Sequence, residues 1–297
     1  MWAAPRKRFI QIIMTTEADF QKFVDDGYLI IKDFLSEADI NEIEQKCYDI
    51  VQEMNPNEHT LQTFSTSEDD QNKKRNNYFM ESADKIRFFF EKQAVNEKGD
   101  LTVDKHKALN KIGHALHVLD PVFKKVTHSQ LIQRVAKNLG FKKPVVVQSM
   151  YIFKSPHVGG EVVPHQDSTF LYTEPMNILG FWIPLEDCTL ENSCLHFIPG
   201  SHKNGVSRRM IKAEDGVSTT FVGPLLEFDN DKFIPAEVEK GSLVLIHGEV
   251  VHKSEHNYSE KSRHVYTFHI AETEDTKWSK ENWLQESNSM KFPPLYQ

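Results

Sequence analysis

Five short apolar segments in the second half of the chain, punctuated by glycine, proline and asparagine, restrict its possible folds more than any other feature. They are Pro144 to Phe153, Ile178 to Leu185, Cys194 to Ile198, Gly241 to Ile246 and Arg263 to Ile270, all rich in Val, Ile, Phe and Tyr. β-Branched and aromatic residues favour a pleated surface, and turn-formers bound each run. Many short strands without interleaved long helices predict an all-β sandwich or barrel with the N-terminal helices packed outside it. A double-sheet jelly roll, the cupin-like double-stranded β-helix, fits best because it builds a pocket between its sheets. There is no internal repeat and no glycine-rich nucleotide loop.

The first half follows another pattern. Thr16 with Asp19, and Ser36 with Asp39, have the spacing of capping boxes, so each pair opens a helix. After Ser36, Ile40, Ile43, Cys47, Ile50, Val51 and Met54 recur at helical spacing and give one apolar face. Gly27 ends the first helix, and Tyr28 to Ile31 suits a short buried strand. Residues 55–77 are polar and charge-rich and read as a surface loop; Lys85 to Phe90 is a further candidate strand. The expected organisation is an extension over 1–15 and a single domain over 16–297. That domain divides into a helical part to about residue 110, a jelly-roll core over about 111–275 and a tail over 276–297.

Charge and cysteine usage narrow the functional classes. A net charge of −8 and a pI near 6.0 argue against a nucleic-acid surface, which needs a dense basic face. One basic pocket for a small anion is compatible with that balance. The three cysteines, Cys47, Cys188 and Cys194, contain no CxxC pair, which favours a reduced, cytoplasmic setting. No run reaches the roughly 18 to 20 apolar residues of a membrane span. The basic stretch Met1 to Thr16 reads as an upstream extension, with Met14 opening the folded part, in preference to an organelle-targeting arm. A monomer acting on a small molecule is expected.

Chemistry enters at Val163-Pro164-His165-Gln166-Asp167. On an extended strand, residues two apart point the same way, so His165 and Asp167 can reach one ion. Alone, HxD is a weak signal. Two histidines and one carboxylate bind one face of an octahedron and leave the other open, as iron(II) oxygenases require. His247 and His252 compete for the third position. His252 is preferred, because His247 sits at a strand–turn junction and because Arg263 follows His252 by eleven residues, at the start of the next strand. A hairpin would return Arg263 beside the metal. By itself this arginine would read as exposed or ion-paired. In a β-lined pocket an unpaired guanidinium costs several kcal/mol, roughly, and the distal carboxylate of 2-oxoglutarate offers the bidentate partner it matches.

HxD, then HxS, then an arginine eleven positions past the second histidine resembles the phytanoyl-CoA dioxygenase family of iron(II)/2-oxoglutarate oxygenases. The likeness runs from Gly27-Tyr28-Leu29-Ile30 to Glu281-Asn282-Trp283-Leu284, through DKIRFFFEK (84–92), NKIGHALH (110–117), VVVQSMYIFK (145–154) and LIHGEVVHKS (245–254). The resemblance implies His165, Asp167 and His252 as iron ligands. It implies Lys111, Met150, Trp182, Ser254 and Arg263, with those ligands, around 2-oxoglutarate. Without it, Met150 and Trp182 would read as core and Lys111 as a solvated charge. The implied activity uses O2, with ascorbate in support, decarboxylates 2-oxoglutarate to succinate and CO2, and hydroxylates a small molecule, one candidate class being anionic. A zinc hydrolase or a non-catalytic binding module is the alternative. Where the family usually has glycine in a Glu-Asn-Gly-Cys-Leu turn, this chain has Ser193. A positive φ there would cost serine roughly 1 kcal/mol.

Several groups stay open at this level. His114 and His117 either line the substrate pocket or sit in the core. His202 reads as structural. His264 and His269 occupy opposite faces of one strand, so at most one looks inward. Arg208 and Arg209 either meet phosphates or are solvated.

Overall fold

A computed structural model of the chain describes residues 16–59, 61, 63 and 77–296. The expected N-terminal extension and most of the expected charge-rich loop lie outside the described residues. Both capped helices form. Glu17–Asp26 opens on Thr16, whose hydroxyl accepts from the Asp19 amide while the Asp19 carboxylate accepts from the Thr16 amide, and it closes on Gly27 at φ 82°. Glu37–Glu53 opens on Ser36, which accepts from the Asp39 amide, and it buries Ile40, Ile43, Cys47 and Val51.

The strands in chain order are β1 (Tyr28–Ile31), β2 (Ile86–Phe90), β3 (Leu109–His114), β4 (Val145–Ile152), β5 (Val162–His165), β6 (Thr173–Glu174), β7 (Ile178–Pro184) and β8 (Leu195–Phe197). They continue as β9 (Arg209–Lys212), β10 (Thr219–Val222), β11 (Ile234–Ala236), β12 (Leu243–His247), β13 (His252–Ser254), β14 (Val265–Ala271) and β15 (Lys277–Trp278). A seven-stranded antiparallel sheet has the order β1-β12-β7-β14-β4-β3-β2, and a four-stranded one the order β11-β8-β13-β5. These are the two layers of a jelly roll, so the mainly β reading holds. The two strands expected within the mainly helical part form as β1 and β2, and both join the large sheet.

Period-2 alternation explains how the large sheet serves two surfaces. Phe181, Ile183, Leu243, Leu245, Tyr266 and Phe268 point outward into the principal core, which they share with Ile40, Ile43 and Phe123 of the helices. Their neighbours Trp182, Val244, Ile246 and Val265 face the small sheet and pack with Leu195 and Phe197. With both faces covered, β7 and β14 are buried along their whole length. The C-terminal stretch expected to be a tail is built in: Lys277 pairs with Glu174, Val145 bridges Pro294, and Leu295 is fully buried. No described helix is long and apolar enough to cross a membrane.

Candidate active site

In the small sheet β13 runs antiparallel to β5 with His252 directly opposite His165. The chain stays extended through Gln166 (φ −113°, ψ 137°), and Asp167 opens a 3-10 turn rather than continuing the strand. One extended residue is enough to return its carboxylate to the His165 side. A backbone carbonyl can only accept, so His165 Nδ1 donates to Val163 O at 2.8 Å and His252 Nδ1 donates to Val250 O at 3.1 Å. With the proton on Nδ1, each Nε2 is a bare lone pair, and each lies 3.8 Å from the same atom, Asp167 Oδ1. One donor atom from each of the three residues falls within 4.8 Å of the others. Three acceptors converging without a proton between them repel one another unless a cation sits among them. Two imidazoles and a carboxylate are the donor set that suits iron(II).

The electrostatics agree. Burial, reinforced by His252, brings the His165 imidazole down to about 4. Burial pushes the Asp167 carboxyl up, yet His269, His252 and His165 outweigh it and hold it below the ordinary carboxylate range.

Of His264 and His269, of which the sequence allowed at most one to look inward, His269 on β14 is the one that enters the cavity. Its Nε2 lies 3.1 Å from Asp167 Oδ2, and its Nδ1 is 3.2 Å from Gln148 Nε2. An amide nitrogen donates, so Nδ1 accepts and Nε2 carries the proton toward the carboxylate. Strand parity holds the signal that would have found it, since Arg263 and His269 are an even number of residues apart. His264, on the opposite face, meets Tyr151 OH at 3.0 Å instead. Gly180 leaves room for this pair, as a Cβ there would lie 3.3 Å from Asp167 Oδ2 and 3.4 Å from His269 Nε2.

Lys111, Met150, Trp182, Ser254 and Arg263 line one cavity of about 160 Å³ with the three putting their lone pairs together. Arg263 is only 2% exposed, its guanidinium carbon 5.3 Å from the Trp182 ring centre. Its Nε and Nη1, and the Ser254 hydroxyl, have no hydrogen-bond partner among the described residues. The expected hairpin is absent: β13 and β14 belong to different sheets, and the chain crosses between layers to bring Arg263 in. Lys111 Nζ is 3.7 Å from Met150 Sδ, and burial lowers its ammonium to about 7. Lys154, which the sequence did not single out, lines the same cavity, and burial followed by the Arg263 charge brings it to about 7.

Residues 23–265 match the family model described as Phytanoyl-CoA dioxygenase (PhyH). The chain belongs to the phytanoyl-CoA dioxygenase family. The phytanoyl-CoA dioxygenase domain-containing protein 1 of Danio rerio is 51% identical over 286 residues, spanning 95% of this chain and 98% of that protein. The Rattus norvegicus protein of the same name is 53% identical over 284 residues, spanning 94% and 98%. A phytanoyl-CoA dioxygenase of Arabidopsis thaliana is 46% identical over 275 residues, spanning 92% and 94%. Among solved structures, the non-heme alpha ketoglutarate dependent carbocyclase SnoK shares the fold with a TM-score of 0.61 at 16% identity, covering 94% of this chain and 96% of that one. The epimerase SnoN in complex with Fe3+, alpha ketoglutarate and nogalamycin RO does so at 0.62 and 12% identity, covering 94% and 98%.

Against the phytanoyl-CoA dioxygenase pattern, Ser193 takes φ 72°, so serine here occupies the left-handed conformation that the usual glycine adopts freely. His247, the rejected third ligand, lies outside the cavity, its ring 4.9 Å from that of His202, and its Nδ1 accepts from the Glu249 amide rather than donating to a carbonyl. His114 lines the cavity, whereas His117 is a core residue held by Ser149 Oγ at 2.8 Å. Arg209 is tied to Glu281 and Ser279 and stacks on Tyr172.

Proposed function

We propose that this member of the phytanoyl-CoA dioxygenase family is an iron(II)- and 2-oxoglutarate-dependent dioxygenase that couples formation of succinate and CO2 to hydroxylation of a small molecule. One observation carries the reading. The cavity that gathers His165, Asp167 and His252 also buries a guanidinium whose Nε and Nη1 lack acceptors. A zinc hydrolase gives that arginine no partner, while a dicarboxylate supplies it.

In this reading His165, Asp167 and His252 hold the metal, and His269 fixes the Asp167 carboxylate through its Nε2 proton. Iron(II) with 2-oxoglutarate, when bound, supplies the activation of O2 that no side chain can provide. Arg263 and Ser254 bind the far carboxylate, Trp182 walls one face of the guanidinium, and Lys111 and Met150 bound the cosubstrate from β3 and β4. Lys111, lowered to about 7 by burial, keeps its proton when an anion sits beside it. The apolar lining excludes water around these groups.

Succinate formed from 2-oxoglutarate with iron(II), O2 and ascorbate tests the reading. Asp167→Ala abolishes it, and normal turnover by that variant sinks the assignment. Arg263→Ala raises the 2-oxoglutarate needed for half-maximal turnover at least tenfold before it alters the iron requirement. An equal loss in both titrations would assign Arg263 to the metal site instead.

A further inference from the structure

The cavity has two ends of opposite hydrogen-bonding character. Arg263, two residues before β14, and His269, on β14, both line it, and an extended backbone places them at most about 20 Å apart. At the Arg263 end the unpartnered atoms are donors, which suits a dicarboxylate. At the other end Gln148 lies opposite His269, and His114 opposite Ser149. There the unpartnered atoms include His114 Nε2 and Gln148 Oε1, in side chains 1% and 6% exposed, and Asp167 Oδ2 beside His269.

All three are acceptors, and the network fixes this for the first two. Ser82 Oγ donates to Phe79 O at 2.5 Å, so it accepts from His114 Nδ1 at 2.8 Å, and Nε2 is left as a lone pair. Gln148 Nε2 is committed to His269, which leaves Oε1. A buried acceptor without a donor costs about 1–3 kcal/mol, so this end calls for an O–H or N–H. 2-Oxoglutarate is built only of acceptors and cannot supply one. Carboxylates and phosphates offer these lone pairs no donor, whatever the Lys111 ammonium beside His114 does for their charge, and that ammonium disfavours a cation. The surrounding wall is apolar. Trp283 stacks on Phe79 at 4.2 Å, both rings contact His114, and Phe170, Leu171 and Met210 complete the lining.

We infer that this end is the subsite for the molecule to be hydroxylated, and that its occupant is a neutral, hydroxyl-bearing apolar compound. Its O–H donates to His114 Nε2, Gln148 Oε1 takes a second donor, and its body lies against Phe170, Leu171, Met210 and Trp283. Before it binds, a water can make the same bonds, and the hydroxyl reproduces them on displacing it. The inference rests on the dioxygenase reading for the fate of the occupant but not for its binding.

The test is calorimetric titration of the full chain with 2-naphthol, 2-methoxynaphthalene and 2-naphthoate, which share one apolar body. 2-Naphthol is expected to bind at least tenfold tighter than either of the others. In His114→Phe that preference falls below threefold, whereas a phenol that merely ligated a metal would keep it. Equal binding of the ether, tighter binding of the carboxylate, or a preference retained in His114→Phe overturns the subsite. Should the variant not fold, the three probes on the wild-type chain decide. Selective binding of 2-naphthol without succinate formation from 2-oxoglutarate would defeat the dioxygenase reading alone. Turnover of 2-oxoglutarate without that selectivity would defeat the subsite alone.

Discussion

Asp167 is held from two sides. Oδ1 faces the bare nitrogens of His165 and His252, and His269 Nε2 lies 3.1 Å from Oδ2. The carboxylate is therefore already oriented toward the candidate metal position, and His269 is oriented in turn by Gln148. Replacing His269 with phenylalanine keeps a ring on β14 but removes the proton that fixes Oδ2. The iron(II) concentration giving half-maximal succinate formation is expected to rise by about 10- to 100-fold, the range found when such outer partners are lost. An unchanged iron titration would reduce His269 to a packing residue. The candidate ligands were legible because HxD, a distal histidine and Arg263 carry their chemistry in residue type and spacing, and the structure brings His165, Asp167 and His252 together. Gln148 was not, and His269 was narrowed only to a pair with His264, because an amide and a histidine inside β-strands are ordinary core residues until the register shows which acid they meet.

Among the elements, the small sheet and the turn beside it gather the candidate metal ligands. The Ser168 amide donates to Gly248 O at 2.8 Å and the Gly248 amide to Ile178 O at 2.9 Å, tying the Asp167 turn to the β12–β13 connection and to β7. No side chain fits at Gly248, where a Cβ would lie 2.4 Å from Ser168 Oγ, 2.9 Å from Ile178 Cβ and 3.0 Å from Ile178 O. The hydroxyl can rotate away, but the Ile178 atoms belong to a buried strand. Gly248→Ala is expected to cost about 1–3 kcal/mol in urea unfolding and to weaken iron binding through Asp167, though it touches no ligand. A variant with wild-type stability would mean that the turn yields at no cost. Of the strands around this turn, β7 and β12 were readable to within two residues, from composition and bounding turn-formers, whereas the short β13 was not. That β1, β2 and β3 extend the large sheet was not, because strand order depends on pairings between distant segments that local periodicity does not encode.

The whole molecule buries histidines that cannot accept a proton without losing their packing. The C-terminal stretch contributes: Leu295 O meets His128 Nδ1 at 3.4 Å, and the His128 charge adds to the depression of His117. The sequence suggested only a tail there, since its contacts are single residues without a period. Burial takes the His117 imidazole down to about 3, and burial followed by His202 takes His247 to about 4. An unfolded histidine titrates near pH ~6.5. Between these values the unfolded chain binds protons that the folded chain refuses. The stability these groups contribute is therefore whole above about pH 6.5 and is lost as the pH falls toward the folded values, at up to about 1.4 kcal/mol per pH unit for a fully buried group. The depressed carboxylates act lower. Burial pushes Glu272 up, but the amides of Glu274, Lys142, Lys143 and Thr273 outweigh it and lower its pKa, so its contribution is lost only below the unfolded value of about 4.3. Burial raises Glu44, Glu91 and Glu249, which oppose the histidines toward the acid end, so the histidines act most clearly in the upper part of the interval from pH 6.5 to 5. Urea midpoints are expected to fall across it in the wild-type chain and to fall less steeply in His117→Asn, which retains a side-chain group for Ser149 but does not titrate. A flat wild-type profile over that interval, or one as steep in His117→Asn, would show that His117 opens to solvent before the core unfolds.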